Sequence, residues 1–119
     1  MEVKTIEIHG KQYVTVAERL RLLSEGKEPY SIETEYDYYP ERKMWVVKAK
    51  LTYKDSVYTG LAQEIETEKG INSTSALENA ETSAVGRACA MAGIGVIDSI
   101  ASADEITKAT NREESIIRR

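Results

Sequence analysis

Cysteine and histidine are nearly absent from this chain of 119 residues, with one of each, Cys89 and His9. A single cysteine excludes an internal disulfide framework and fits a reducing compartment, so a cytoplasmic location is expected. One Cys and one His also leave no ligand set for a zinc site within one chain, so no metal is expected. Long apolar runs are missing too. Nothing approaches the roughly 18 residues that a bilayer span requires, and no membrane partner is expected. The opening residues, MEVKTIEIHG, lack the basic-then-apolar order of a signal peptide. No glycine-rich loop opens a helix: Gly93-Ile94-Gly95 follows a helical stretch, the wrong order for a phosphate or dinucleotide cradle. The lone histidine sits in a turn with no nucleophile or carboxylate pointing to it, so no catalytic set is legible, and neither enzyme activity nor a cofactor is expected.

What is present suits one soluble domain. Hydrophobic residues are 41% and charged residues 30%, too apolar for a disordered chain. Net charge is -4, which weighs against nucleic-acid binding. The distribution matters more than the sum. Between Arg42 and Lys54 there are five cations, Arg42, Lys43, Lys48, Lys50 and Lys54, with no carboxylate until Asp55. Acidic residues gather elsewhere, at Glu33, Glu35 and Asp37 and at Glu64, Glu66 and Glu68.

The chain is organised around residues 75–95, SALENAETSAVGRACAMAGIG. Ser75 with Glu78 reads as a capping box, and Gly93 and Gly95 as helix stops. Alanine recurs at 76, 80, 84, 88 and 92, a row that lets a helix backbone lie close to its support. Upstream, residues 3–8 alternate as a short strand, and His9-Gly10-Lys11 forms a turn. Thr15 with Glu18 opens a first helix, with Val16, Leu20 and Leu23 as its apolar stripe and Glu18, Arg19, Arg21 and Glu25 as a solvated face. Residues 30–38 alternate strictly, with Tyr30, Ile32, Thr34, Tyr36 and Tyr38 on the half-buried side. Residues 44–53 form a second strand, with Trp45, Val47, Ala49, Leu51 and Tyr53 opposite Lys48 and Lys50, and residues 57–66 form a third. Gly60 and Ala62 leave room there for the alanine row or for a ligand. Ser102 with Glu105 caps a short last helix. One domain over residues 1–110 and a loosely ordered tail over 111–119 are expected. The order predicts an α+β fold: a helix, a three-stranded antiparallel meander, a long helix packed across the sheet and a short C-terminal helix.

Cations interleaved with tyrosines on one hairpin suit a single nucleic-acid strand, charges following phosphates and rings stacking on bases. Solvated lysines on a strand face are the plainer alternative. The stretch Leu77 to Ala88 (LENAETSAVGRA), with Gly93 to Gly95 and Ser99 to Glu105, resembles small bacteriophage recombination and single-strand annealing proteins, Erf-like and distantly similar to the eukaryotic Rad fifty-two annealing protein. Residues 10–19 (GKQYVTVAER) resemble the same group. The resemblance implies a homo-oligomer that holds single-stranded DNA in a positive groove between the sheet hairpin and the long helix, acting in DNA recombination or replication in the cytoplasm of the host cell. It places Arg87 at the basic position of that helix. Lys48 and Lys50 lie on the hairpin as phosphate contacts, supported by Arg42, Lys43 and Lys54, and Tyr53 or Tyr58 is available for stacking. The alternative is an oligomeric protein-interaction module without DNA binding, docking phage or host replication proteins.

Overall fold

A computed structural model describes residues 2–117, with side chains through residue 111. The fold is α+β, as the element order predicts. A small hairpin, β1 (Ile6–Ile8) and β2 (Lys11–Tyr13), turns at His9 and Gly10, both at positive φ. Two such residues in succession make the turn whose twist matches that of the flanking strands. Helix α1 (Val16–Glu25) follows, and then three ten-residue strands, β3 (Tyr30–Tyr39), β4 (Met44–Tyr53) and β5 (Ser56–Ile65). They form an antiparallel sheet in the order β3-β4-β5. A short 3-10 turn, Ile71–Ser73, leads into helix α2 (Ala76–Met91), and helix α3 (Ala103–Ile117) closes the chain.

The alanine row does what its spacing predicts. Ala76, Ala80, Ala84 and Ala88 are buried, with Val47, Ala49 and Leu51 of β4 beneath the last three. A Cβ added to Gly60 would stand 2.2 Å from the Ala84 carbonyl oxygen and 2.5 Å from the Ala88 nitrogen. The helix backbone therefore rests directly on β5 at the one residue without a side chain. On the opposite side of α2, a Cβ on Gly86 would stand 2.6 Å from Val16 Cγ2, which marks the crossing of α1.

The helix ends divide. Gly93 (φ 81°) closes α2: its N–H donates to Ala90 O and that of Ile94 donates to Cys89 O, the paired bonds of a Schellman motif. At α3 the capping box forms in both directions, Ser102 N–H to Glu105 Oε2 at 3.0 Å and Glu105 N–H to Ser102 Oγ at 3.3 Å. At the start of α2 the expected box does not form. The Ser75 side chain makes no capping bond, because the chain enters from the Ile71–Ser73 turn, with Ser75 N–H already donating to Ile71 O. At α1 only half a box forms. Thr15 Oγ1 accepts from Glu18 N–H, while the Glu18 carboxylate turns to Arg21 and to Lys4 N–H.

Two further expectations are corrected. Glu18 and Arg19 are not on a solvated face: Glu18 is 6% exposed and Arg19 0%. Arg19 is taken inside because Gly86 and Gly95 leave carbonyls to meet it, Nη1 donating to Gly86 O at 3.0 Å and Nε to Gly95 O at 3.3 Å. The inner face of β3 is less buried than its alternation suggests, because α2 covers β4 and β5 and barely touches β3. Over the expected tail, the backbone of 111–117 continues helix α3. No glycine or proline interrupts Asn111-Arg112-Glu113-Glu114. The last two residues of that tail lie outside the described residues.

Candidate nucleic-acid interface

The six cations singled out in the sequence do not converge within one chain. Lys48 and Lys50 are exposed in mid-β4, on the sheet face away from α2. The register sets Lys48 opposite Glu35 and Lys50 opposite Glu33. Directly opposed unlike charges on neighbouring strands attract, so these two lysines are answered by carboxylates before any phosphate arrives. Arg42 and Lys43 lie in the turn Pro40–Arg42 and its left-handed cap, Lys43 at φ 50°. Lys54 lies at the far end of β4, in the tight turn with Asp55, its Nζ 5.3 Å from the centre of the Tyr53 ring. At about 3.3 Å per strand residue, the two ends of β4 are roughly 30 Å apart.

Arg87 is on the other side of the sheet. Its Nη1 stands 3.4 Å from Glu105 Oε1, and the residue is about one third exposed. Glu81, the other carboxylate in reach by sequence, instead accepts from Thr34 Oγ1 at 2.8 Å. Arg87 shares a cleft of about 470 Å³ with Lys108, Glu105 and Glu64, between the rim of β5 and the helices. Lys108 Nζ donates to Glu64 Oε2 at 3.0 Å and to Ser83 Oγ at 2.7 Å, and Asn72 Nδ2 donates to the other Glu64 oxygen at 2.9 Å. Glu64 is only 3% exposed, so this bond set keeps a buried carboxylate satisfied. The cleft brings two cations together with two carboxylates and is close to neutral.

The exposed aromatic rings are found elsewhere than expected. Tyr53 and Tyr58 pack against the core. The open rings belong to β3 and lie against the half-buried Trp45. The Tyr36 and Trp45 ring centres are 5.6 Å apart, and those of Tyr38 and Trp45 4.4 Å. Tyr36 is 63% exposed. Tyr38 donates to Glu66, which raises its phenol pKa, the carboxylate acceptor being the first cause and burial the second. These rings lie at the β4 end that carries Arg42 and Lys43. Sequence reasoning counted the tyrosines but missed this grouping, because it depends on α2 leaving β3 bare. The strict alternation of β3, with polar residues on both sides of its tyrosines, is the signal available.

The remaining reactive groups are otherwise engaged. Cys89 is fully buried, and burial pushes its thiol pKa up. His9 Nε2 lies 3.2 Å from Thr110 Oγ1. Among the described residues no three His, Cys, Asp or Glu side chains are grouped to hold a metal ion, and no helix is long and apolar enough to cross a membrane.

Known proteins offer no match. No family model matches the chain, and neither a curated protein nor a solved structure is significantly similar to it. Function therefore rests on the geometry.

Proposed function

We propose that this protein binds single-stranded DNA without catalysis, as an oligomer, in the manner of an annealing protein acting in phage recombination or replication within the host cytoplasm. The observation that carries the reading is the pair of exposed rings Tyr36 and Tyr38 on the half-buried Trp45, beside the cations Arg42 and Lys43 at the same end of the sheet. Stacking on exposed rings contributes about 1–3 kcal/mol per base and needs no base-specific bonds. The helix-on-meander order also accords with the fold that the family resemblance implies. Lys48, Lys50, Lys54 and Arg87 remain phosphate contacts of second rank, since carboxylates face Lys48, Lys50 and Arg87. Binding per chain is then weak, and an oligomer multiplies it along one DNA strand.

Trp45 is the sole tryptophan, so its fluorescence reports on the site directly. Titration with an oligothymidylate at low salt should quench it, and the affinity should fall steeply as salt rises. Tyr36→Ala and Arg42→Glu should each weaken binding several-fold with the fold intact. An unchanged Trp45 signal at low salt, with no gel shift, overturns the reading.

A second reading, an oligomeric protein-interaction module, draws support from Met91, Val96, Ile97 and Ile100, apolar residues exposed at the end of α2 and in the loop beyond it. It predicts assembly without any response to DNA.

A further inference from the structure

The sheet stops one strand short of its helices. Helix α3 runs beside α2 on the β5 side, antiparallel to it: Glu105 meets Arg87, and Lys108 meets Ser83 and Glu64. Among the described residues no strand lies beyond β5, so the cleft lined by Leu61, Gln63, Glu64, Arg87, Glu105 and Lys108 opens where a fourth strand would run. The β5 rim keeps one protective device of an edge, the inward-pointing Glu64, but its outer face has none. Its outward residues are Val57, Thr59, Leu61, Gln63 and Ile65, without charge or proline, and Val57, Leu61 and Ile65 are 55%, 60% and 49% exposed. Long, uncharged apolar edges invite pairing.

We propose that β3 of a second copy of this chain pairs with β5 there, head to tail, and continues the sheet. Three features select this occupant. First, β3 and β5 are both ten residues long and, each being antiparallel to β4, run in the same direction, so a translated copy presents β3 parallel to β5. Second, coverage is complementary. Through β4, Tyr38 is level with Glu64 and Thr34 with Gly60. The stretch of β3 that α2 leaves open, Tyr36 to Tyr38, is therefore level with the half of β5 beside which α3 stands. Third, the two symmetric pairings are opposed. Joining β3 to β3 sets Glu33, Glu35 and Asp37 against their own copies. Joining β5 to β5 drives the α3 of each copy against an α2 that already rests on Gly60 at contact distance. A heterologous contact of this kind closes into a ring or extends as a filament.

This deepens the proposed function and rests on its oligomer. The seam brings the exposed tyrosines of one copy to the cleft that holds the ion pairs Arg87–Glu105 and Lys108–Glu64 of the next, a groove of rings and paired charges that neither copy has alone.

Leu61 decides between the arrangements. Across the proposed seam it faces the acidic row of β3, whose level position is Glu35. Light-scattering mass should show a multimer for the native chain, a monomer of 13.3 kDa for Leu61→Glu, and a multimer retained for Leu61→Lys, which meets carboxylates. Chains carrying Glu35→Cys and Leu61→Cys, mixed under mild oxidation, should cross-link to each other; Cys89 is buried and takes no part. Oligothymidylate quenching of Trp45 should drop at least tenfold in apparent affinity for Leu61→Glu. A monomeric native chain overturns the oligomer and the seam together. A multimer that Leu61→Lys disrupts as fully as Leu61→Glu, or that cross-links Leu61→Cys chiefly to itself, overturns the seam alone. A Leu61→Glu monomer with native quenching overturns the shared groove. A native multimer blind to DNA overturns the DNA reading and leaves the edge pairing standing.

Discussion

Adding one methyl group at Gly60 tests the central packing of the fold. The new Cβ would stand 2.2 Å from Ala84 O, 2.5 Å from Ala88 N and 3.0 Å from Arg87 Cβ. Ordinary carbon contacts begin near 3.5 Å, so about 1 Å of separation must be found. The obstructing atoms are helix backbone and cannot swing aside as a side-chain tip does. Either α2 lifts or β5 bends. Lifting α2 opens a gap along Ala80, Ala84 and Ala88, and a gap of 0.5–1 Å forfeits roughly a quarter to a half of each contact it spans. Overpacking of well-packed cores costs about 1–3 kcal/mol, and a backbone-limited site belongs at the upper end. Gly60→Ala should therefore lose about 3 kcal/mol in urea denaturation and lower the melting temperature by roughly 10 °C. Gly93→Ala is the control. Gly93 has φ 81° at the left-handed stop of α2, but nothing lies within 4 Å of its added Cβ, so only the left-handed strain of about 1–2 kcal/mol applies. If Gly60→Ala costs no more than Gly93→Ala, the close approach of α2 to β5 is wrong.

The ion pairs of the cleft should separate by burial. Lys108→Ala strips one partner from Glu64, which is 3% exposed, and should cost about 2 kcal/mol by chemical denaturation, with Asn72 limiting the loss. Arg87→Ala removes a longer, partly exposed pair and should cost under about 1 kcal/mol, since Glu105 keeps its bond from Ser102 N–H. Acid stability should carry the signature of Glu18. The Arg21 guanidinium, with help from the Lys4 N–H, holds its carboxyl down at about 2 against an ordinary 4.5. A depressed folded value means that the contribution is complete above about 4.5 and fades as pH falls toward 2. Melting temperature followed from pH 6 to pH 2 should fall less steeply for Glu18→Gln than for the native chain, and equal slopes would contradict the assignment. Cys89 should resist a thiol reagent in the folded state and react only as fast as the chain opens, which timed labelling in urea measures.

The elements that local chemistry determines were legible in the sequence. Alternation set the sheet faces of β4, because α2 packs on one side of that strand and water lies on the other. The alanine period and Gly60 together located the helix-sheet contact, since both record the same lack of side-chain volume. Gly93 gave the end of α2 and Ser102 with Glu105 the start of α3, each through short-range hydrogen bonds. Ser75 with Glu78 carries the same pattern and yet fails, because the preceding turn had already taken the Ser75 N–H. A motif four residues long does not contain the chain that leads into it.

The site was harder to read, because charge in a sequence carries no partner. Lys48 and Lys50 looked free until strand register put Glu35 and Glu33 across from them. Arg19 shows the same limit from the inside. On a helix wheel it sits among charged residues and reads as solvated, yet Gly86 and Gly95, distant in sequence, leave the space and the carbonyls that draw it in. A Cβ on Gly95 would stand 2.9 Å from Arg19 Cγ. Burial lowers its pKa, with Glu105 and Asp104 among the charges that counter the shift. One guanidinium nitrogen, Nη2, finds no acceptor among the described residues. Two carbonyls and remote carboxylates are modest compensation for a desolvated cation. The arginine is kept where its fork ties α1 to α2 and to the loop that follows it, and that loop carries the chain to Ser102 and so to α3. The position of α3 beside β5, and with it the open strand site, thus depends on a buried residue that no local pattern marks as special.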